Sequence, residues 1–175
     1  MRYILLLFSF WSMNFQSFGQ TKKKAINYDS AINKTVFISY FTADTITLND
    51  NWRTTNRSAP HYLGLKNQHK DFIEIAARRK KEDQFYTTNI SDAELLNKDA
   101  EFEAYRYKVN KTTFEKIYSD DTCYVFNENR NRMDAMTIVG IKNDYVIEII
   151  FHPAIEDQTK NLDYLLTLFK NLNIK

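Results

Sequence analysis

The strongest structural pattern in the sequence is Met133-Asp-Ala-Met-Thr-Ile-Val-Gly-Ile-Lys-Asn-Asp-Tyr-Val-Ile-Glu-Ile-Ile-Phe-His152. Two runs rich in β-branched and aromatic residues, which are typical of strands, flank the pair Asn143-Asp144. Asn and Asp tolerate the positive φ angles that a tight hairpin turn requires. The pattern therefore predicts an antiparallel hairpin of strands at Met133–Lys142 and Tyr145–His152, which Pro153 ends.

Further strands are predicted before this hairpin, where short runs of the same residue types alternate with polar turns. They lie at Thr35–Phe41, Thr45–Leu48, His61–Leu65, Asp71–Ala77, Thr112–Tyr118 and Thr122–Asn127. Within the fourth of these strands, Ile73, Ile75 and Ala77 alternate and should therefore lie on one face of the sheet.

A helix is predicted in the middle of the chain. Ser91 and Glu94 form the S-x-x-E pattern of a capping box, which predicts a helix from Asp92 to about Val109. Leu95, Phe102 and Val109 are seven residues apart and should share one face of it. Because residues 102–109 also alternate, a helix followed by a strand remains an open alternative.

A second helix is predicted at the C-terminus, from about Glu156 to Asn171. Its apolar residues at helical spacing are Leu162, Leu165, Leu166, Phe169 and Leu172. Its acidic start, Glu156 and Asp157, suits the positive end of the helix dipole.

The order of these elements determines the fold class. Runs of strands joined by short turns, with one helix between them and one after them, are typical of α+β proteins. We therefore predict a mostly antiparallel sheet of about six or seven strands. The middle helix and the C-terminal helix are expected to cover one face of this sheet.

This layout resembles that of the PsbP-like family of small exported domains. The shared features are a first hairpin followed by a loop tryptophan (Trp52), a strand, a helix, four antiparallel strands, and a helix that closes on the tail Leu172-Asn-Ile174. The resemblance covers nearly all of the chain after residue 19 and includes no specific motif. It implies a mostly non-catalytic accessory or binding module and carries over no functional residue.

Residues 1–19 have the pattern of a cleavable secretory signal peptide. One arginine precedes the apolar run Tyr3–Trp11, and the small residues Ser17 and Gly19 stand where signal peptidase requires short side chains. The apolar run is about half of the ~20 residues that a membrane-spanning helix needs. We expect cleavage before Gln20 and export to the periplasm or outside the cell, without stable membrane insertion afterwards.

The rest of the chain is expected to form a polar tail or helical turn at 20–34 and a single α+β domain at 35–175. Cys123 is the only cysteine, so no internal disulfide can form, and no cysteine at the signal boundary could carry the lipid of a lipoprotein. We expect Cys123 to be a small buried side chain in a strand. The formal net charge of +2 disfavours nucleic-acid partners, which require a basic face.

The sequence contains no pattern typical of a metal or nucleotide site. His61, His69 and His152 are too far apart to form a zinc motif. Asn127–Asp134 alternates asparagines faintly like a calcium loop, but Arg132 stands where such a loop needs glycine. There is also no glycine-rich phosphate loop. We expect no cofactor and no metal, and a polar hairpin connection at 127–134.

The catalytic patterns are equally weak. Cys123 and His152 could form a nucleophile and base, although a thiol in mid-strand is a poor nucleophile. The acidic residues Glu94, Asp99, Glu101 and Glu103 could supply a carboxylate pair for hydrolysis, but a solvated helix surface is the expectation. We predict no catalytic residue.

Two further features could form binding surfaces. The charged run at 78–83 should be a solvated strand end and loop, with a phosphate or anionic-glycan site as the alternative. The aromatic residues that could form an exposed patch are Trp52, Tyr62, Tyr86, Tyr105, Tyr107, Tyr118 and Tyr124. Most of them should fill the core, and Tyr86, Tyr105 and Tyr107 are the best candidates for exposure.

These observations predict an exported, non-enzymatic binding or accessory domain with an unidentified protein or small-molecule partner. The alternative is a small exported hydrolase whose site is assembled only in three dimensions. An enzyme should show a concave pocket with perturbed ionisable groups, and a binding module should show an exposed apolar or aromatic patch.

Overall fold

The computed structural model describes residues 26–38, 44–55, 62–130, 133–153 and 157–174. The expected signal peptide at 1–19, the cleavage site at Gln20 and the ligand candidate His61 lie outside the described residues.

The described residues form two helices and strands in two sheets. The strands, numbered in chain order, are β1 (Ile26–Asp29), β2 (Lys34–Ile38), β3 (Thr45–Asn49), β4 (Arg53–Thr54), β5 (Leu63–Lys66), β6 (Phe72–Arg79), β7 (Phe114–Ser119), β8 (Cys123–Arg130), β9 (Met133–Lys142), β10 (Tyr145–His152) and β11 (Asn173–Ile174). The helices are α1 (Asp92–Val109) and α2 (Gln158–Asn171), and a single 3-10 turn spans Lys80–Glu82.

The predicted α+β class is confirmed. The larger sheet has seven antiparallel strands in the order β4-β5-β6-β10-β9-β8-β7. The predicted hairpin forms its centre, with Gly140 opposite Ile147, and Asn143 adopts the expected positive φ of 54° in the turn. The bounds of β9 and β10 match the prediction at every residue.

A second sheet, which the sequence pattern did not indicate, has the order β1-β2-β3-β11. Its first strand corrects the expectation of a tail or helical turn at 20–34, because Ile26–Asp29 pairs with residues 34–37 of β2. Only Ile26 and Tyr28 alternate in this strand, too short a pattern to recognise beside three lysines. The C-terminal tail returns as β11 and pairs with β3.

The two helices lie on opposite faces of the larger sheet, which corrects the expectation that both cover one face. Leu95, Leu96 and Tyr107 of α1 pack with Tyr124 and Phe126. Leu165, Leu168 and Phe169 of α2 instead pack with Cys123 and Val125. These residues alternate along β8 with Tyr124 and Phe126, so their side chains point to the opposite face of the sheet. The reason is that residues 135–141 of β9 are all buried, so both faces of this strand need an apolar cover.

Helix α1 is one continuous helix, which settles the alternative left open at 102–109. The cap is as predicted, with Ser91 Oγ accepting a hydrogen bond from the Glu94 backbone N–H at 3.2 Å. Of the residues expected to share one face, Leu95 is buried but Phe102 and Val109 are exposed, because a seven-residue spacing drifts by about 20° per heptad around a straight helix. The buried residues of α1 are Leu95, Leu96, Asp99, Ala100 and Tyr107.

Helix α2 covers the other face largely as predicted. Leu165, Phe169 and Leu172 are buried, together with Leu168, which the predicted stripe omitted. The ring of Phe169 lies directly over Gly140, where any Cβ would overlap it. The core on this side also includes residues of the small sheet, so the two sheets and α2 enclose one apolar cluster.

Candidate functional site

A row of side chains crosses three strands on the face that α2 covers. Glu115 of β7 is opposite Asn127 of β8, which in turn is opposite Met136 of β9. Asn127 donates a weak hydrogen bond to Glu115, with 3.4 Å between Nδ2 and Oε2. Because α2 lies over β9 and β3, this row near the β7 edge forms the floor of an open cleft.

The first turn of α2 forms a wall of this cleft. Pro153 ends β10 and also lines the cleft, and Asp157 then caps α2 by accepting a hydrogen bond from the Lys160 backbone N–H at 3.1 Å. Hydrogen bonds from Lys160 hold the pKa of Asp157 below its ordinary value. Gln158 and Asn161 of this turn line the cleft beside the cap.

The cleft has a volume of about 460 Å³. This lies within the ~300–1,000 Å³ typical of sites for small molecules. The described residues that line it include Glu115 and Asp157 with their carboxylates, the apolar residues Met136 and Pro153, and three amide side chains. Glu128 and Ala135 also line it, although strand alternation directs their side chains to the α1 face. No lysine, arginine, histidine or cysteine occurs among the described lining residues.

Glu128 also belongs to a buried cluster on the face covered by α1. Its carboxylate accepts hydrogen bonds from the Tyr107 hydroxyl and, at 2.8 Å, from the Thr137 hydroxyl. All three residues are buried, and these hydroxyls stabilise a carboxylate that has left water. Glu128 therefore links α1 to the strands that form the cleft.

A second polar cluster lies under α1, around Arg78. The guanidinium donates to Asp83 from Nε at 3.1 Å and from Nη2 at 2.7 Å, and Nη2 is 3.6 Å from Asp99. The Tyr124 hydroxyl donates to the other oxygen of Asp99 at 2.6 Å. Asp83, Asp99 and Tyr124 are all buried.

Burial and charge pairing both shift the pKa values of this cluster. Burial raises the pKa of Asp99 above its ordinary value, although the Tyr124 hydrogen bond and Arg78 oppose the shift. Burial and the Asp99 carboxylate both raise the pKa of Tyr124. Burial alone would lower the pKa of Arg78, but the hydrogen bond to Asp83 and the nearby carboxylates raise it. The cavity beside this cluster holds about 60 Å³, which is enough for water and too small for an organic substrate.

The candidate nucleophile and base, Cys123 and His152, are not brought together. Cys123 packs under α2, whereas the alternation of β10 places His152 on the opposite face, in phase with Val146. Cys123 is buried, as predicted, and burial raises the pKa of its thiol to about 12, so the thiolate is scarce. His152 contacts Phe72 and has its Nε2 3.6 Å from Glu74.

Of the remaining metal and acid candidates, the structure brings Asp99 and Glu103 together, since both line the 60 Å³ cavity beside Arg78, and separates the others. His69 is exposed in the turn after β5. Residues 127–130 and 133–134 are paired ends of β8 and β9, and the connection between them lies outside the described residues. Within the described ranges, no group of three potential ligands is arranged to hold a metal ion. Glu94 and Glu101 are exposed on α1, while Asp99 is buried against the sheet.

The charged run at 78–83 forms a strand end and a 3-10 turn, but the expectation that it is solvated was wrong for Asp83, which is buried, and three of its cations face acidic residues of the same chain. Arg78 pairs with Asp83, Arg79 has Nη2 3.9 Å from Asp44, and Lys80 Nζ is 2.8 Å from Asp92. This internal pairing disfavours the alternative of a phosphate or anionic-glycan site.

Most of the candidate aromatic residues belong to the core or to hydrogen-bonded pairs. Trp52 and Tyr124 are buried, as expected. The expectation that Tyr107 is exposed was wrong, because it is buried between α1 and the sheet beside Phe126, and Tyr86, the other such candidate, is half-buried. Tyr105 is 65% exposed, as anticipated, and is the most exposed of the large apolar and aromatic side chains in the described ranges. Tyr62 and Tyr118 donate hydrogen bonds to Glu148 and Asp120, respectively.

Sequence reasoning missed the cleft and the Arg78 cluster. The cleft row depends on the register of β7, β8 and β9, which no short motif specifies. Arg78 could have been found, because it follows Phe72, Glu74 and Ala76 at every second position on one face of β6.

A comparison with models of known protein families found no match, and neither did a comparison with curated proteins. No helix in the described ranges is long and apolar enough to cross a membrane.

Proposed function

We propose that this protein is an exported, non-enzymatic binding domain that holds a small polar molecule in the cleft beside the start of α2. The observation that carries this proposal is the cleft itself, whose 460 Å³ are lined by the apolar residues Met136 and Pro153 together with carboxylate and amide side chains. Sites for small molecules have this composition, in which apolar surface supplies affinity and a few polar groups fix orientation.

The described lining favours a ligand that donates hydrogen bonds. Ionised carboxylates such as Glu115 and Asp157 only accept, and the amide of Asn127 can both accept and donate. Hydroxyl or ammonium groups on the ligand would match these acceptors. A phosphate or carboxylate ligand would meet the like charge of Glu115 instead, whereas the charge of Asp157 is paired with Lys160, whose Nζ is 2.9 Å from Oδ2.

Binding is favoured over hydrolysis because the buried groups with raised pKa values and the large cleft lie on opposite faces of the sheet. The perturbed groups Asp99 and Tyr124 lie under α1, where the cavity is about 60 Å³. The large cleft lies on the α2 side, and its described lining contains no histidine or cysteine that could act as base or nucleophile.

Export is the second part of the proposal and rests on the sequence of residues 1–19. The intact mass of protein recovered from the cell exterior or periplasm should match a chain that begins at Gln20. Mass is the appropriate readout, because cyclisation of an N-terminal glutamine blocks chemical sequencing. A product that retains residues 1–19 would contradict export by signal cleavage.

Binding can be tested by nuclear magnetic resonance with the mature chain, 20–175, and a set of small polyols, primary amines and carboxylic acids. We expect polyols or amines to shift the amide resonances of Asn127, Met136 and Asn161. The carboxylic acids serve as the matched negative set. Shifts confined to residues around Arg78, or no shift at the cleft with any probe, would contradict the proposal.

A further inference from the structure

Helix α1 carries exposed apolar side chains beside its buried face. Leu96, Ala100 and Tyr107 face the sheet and are buried. On the outward side, Phe102 is 39% exposed, Tyr105 65% and Val109 59%. A group of exposed apolar side chains on one surface is typical of an interaction site.

The three exposed side chains form one patch. Tyr105 is three residues after Phe102 and four residues before Val109, and such positions are neighbours on a helix surface. The ring of Phe102 also contacts Phe85 edge-on, with 5.6 Å between the ring centroids, which extends the patch towards the loop before α1. We call these four residues the outer patch.

Two opposite charges flank the outer patch along the same side of α1. Glu101 is exposed one turn before Tyr105, and Lys108 is exposed nearly one turn after it. Neither side chain takes part in an ion pair within the described part of the chain. More broadly, acidic residues start α1 and basic residues end it.

We infer that the outer patch binds a second copy of this chain, with the two α1 helices antiparallel. A twofold axis beside Tyr105 places each residue of one α1 next to the residue of the second copy that lies equally far on the other side of Tyr105. Phe102 of each copy then meets Val109 of the other, and Glu101 meets Lys108, each within one residue or about 1.5 Å along the axis. The same patch thus supplies both halves of an isologous interface.

Charge complementarity is the reason to choose a second copy over another partner. The antiparallel arrangement places the acidic start of one α1 beside the basic end of the other, which also aligns the helix dipoles favourably. A partner with a uniformly acidic or basic surface would be attracted by one end of α1 and repelled by the other.

The size of the surface predicts a weak dimer. Helix α1 has 18 residues and is therefore about 27 Å long. A contact along one such helix falls short of the ~800 Å² per partner of a standard stable interface. We expect self-association that depends on concentration, with monomer predominating in dilute solution.

Sedimentation velocity of the mature chain over a range of concentrations tests this inference. The wild type should shift from monomer towards dimer as the concentration rises, and Tyr105→Asp should weaken self-association by about tenfold or more. Ile32→Asp is the matched control, because Ile32 is 57% exposed but lies in the small-sheet hairpin, and it should leave the dimer unchanged. Circular dichroism should show that both variants are folded.

A charge exchange tests the antiparallel geometry. Glu101→Lys and Lys108→Glu should each weaken the dimer, because each places like charges together across the interface. The double variant should restore association towards the wild-type level. A monomer at every concentration, a dimer that tolerates Tyr105→Asp, or a double variant no stronger than the single ones would overturn the inference.

Discussion

Single carboxylates organise several turns and layers of this protein, and Asp120 is the clearest case. Its Oδ1 accepts from the backbone N–H of Thr122 at 2.7 Å and of Cys123 at 2.8 Å, and its Oδ2 accepts from the Tyr118 hydroxyl at 2.7 Å. These bonds fix the turn between β7 and β8, the two strands that supply Glu115 and Asn127 to the cleft. Partial burial alone would raise the pKa of Asp120, but the hydrogen bonds lower it to about 2.

The low pKa of Asp120 leads to a prediction about stability and pH. Because its folded-state pKa is below the ordinary 3.8, Asp120 stabilises the fold above that value and loses this effect as the pH falls towards 2. Asp120→Asn should lower the free energy of unfolding near neutral pH by about 1 kcal/mol, a modest value because solvent screens this turn. The difference from wild type should shrink towards zero at about pH 2.

Urea unfolding of the wild type and of Asp120→Asn across this pH range measures the effect. Asp121→Asn is the control, because Asp121 is the exposed neighbour in the same turn. Equal destabilisation by the two substitutions, or a difference that does not change with pH, would show that Asp120 does not hold the turn through its charge.

At the scale of elements, the C-terminal half of α2 packs closely against strand β9. Phe169 is buried over Gly140, and Lys142 of β9 donates from Nζ to the carbonyl oxygens of Lys170 and Leu172 at the C-terminus of the helix. These contacts satisfy carbonyls that have no partner within the helix. They also fix the helix that forms one wall of the cleft.

Phe169→Ala should therefore be severely destabilising. The lost burial and the cavity left over Gly140 should reduce the free energy of unfolding by about 3–5 kcal/mol. This loss is a large share of the free energy of unfolding of a typical domain, which is ~5–15 kcal/mol. Urea unfolding gives the value, and Phe102→Ala, at an exposed site on α1, should cost less than about 1 kcal/mol. A Phe169→Ala melting temperature within about two degrees of wild type would mean that α2 is not packed on the sheet.

The elements could be predicted from the sequence where local chemistry alone fixes them. The hairpin at 133–152 and the cap at Ser91 follow from turn residues and side-chain hydrogen bonds, and their bounds were correct. The buried face of α1 could not be predicted in this way, because Phe102 and Val109 follow Leu95 at helical spacing and yet are exposed. Periodicity shows which residues form an apolar stripe, but it does not show which part of the protein packs against that stripe.

At the scale of the whole molecule, the sheet is covered differently on its two sides. Helix α1 and the loop before it cover one face, while α2 and the small sheet share the other. The cleft lies where this second cover ends, at the β7 edge. Its floor combines Glu115, Asn127 and Met136, which are neighbours only through strand register, so the sequence alone could not predict this site.

The central claim is that the cleft, and not the cluster around Arg78, binds the ligand. The most direct test is the affinity of the tightest-binding polyol or amine for wild type, Asn161→Trp and Asp163→Trp, measured by titration. Tryptophan at Asn161 should fill the cleft and weaken binding by at least about tenfold, a loss of about 1.4 kcal/mol. Tryptophan at Asp163, exposed elsewhere on α2, should leave the affinity unchanged. Equal affinity for all three proteins would contradict the claim.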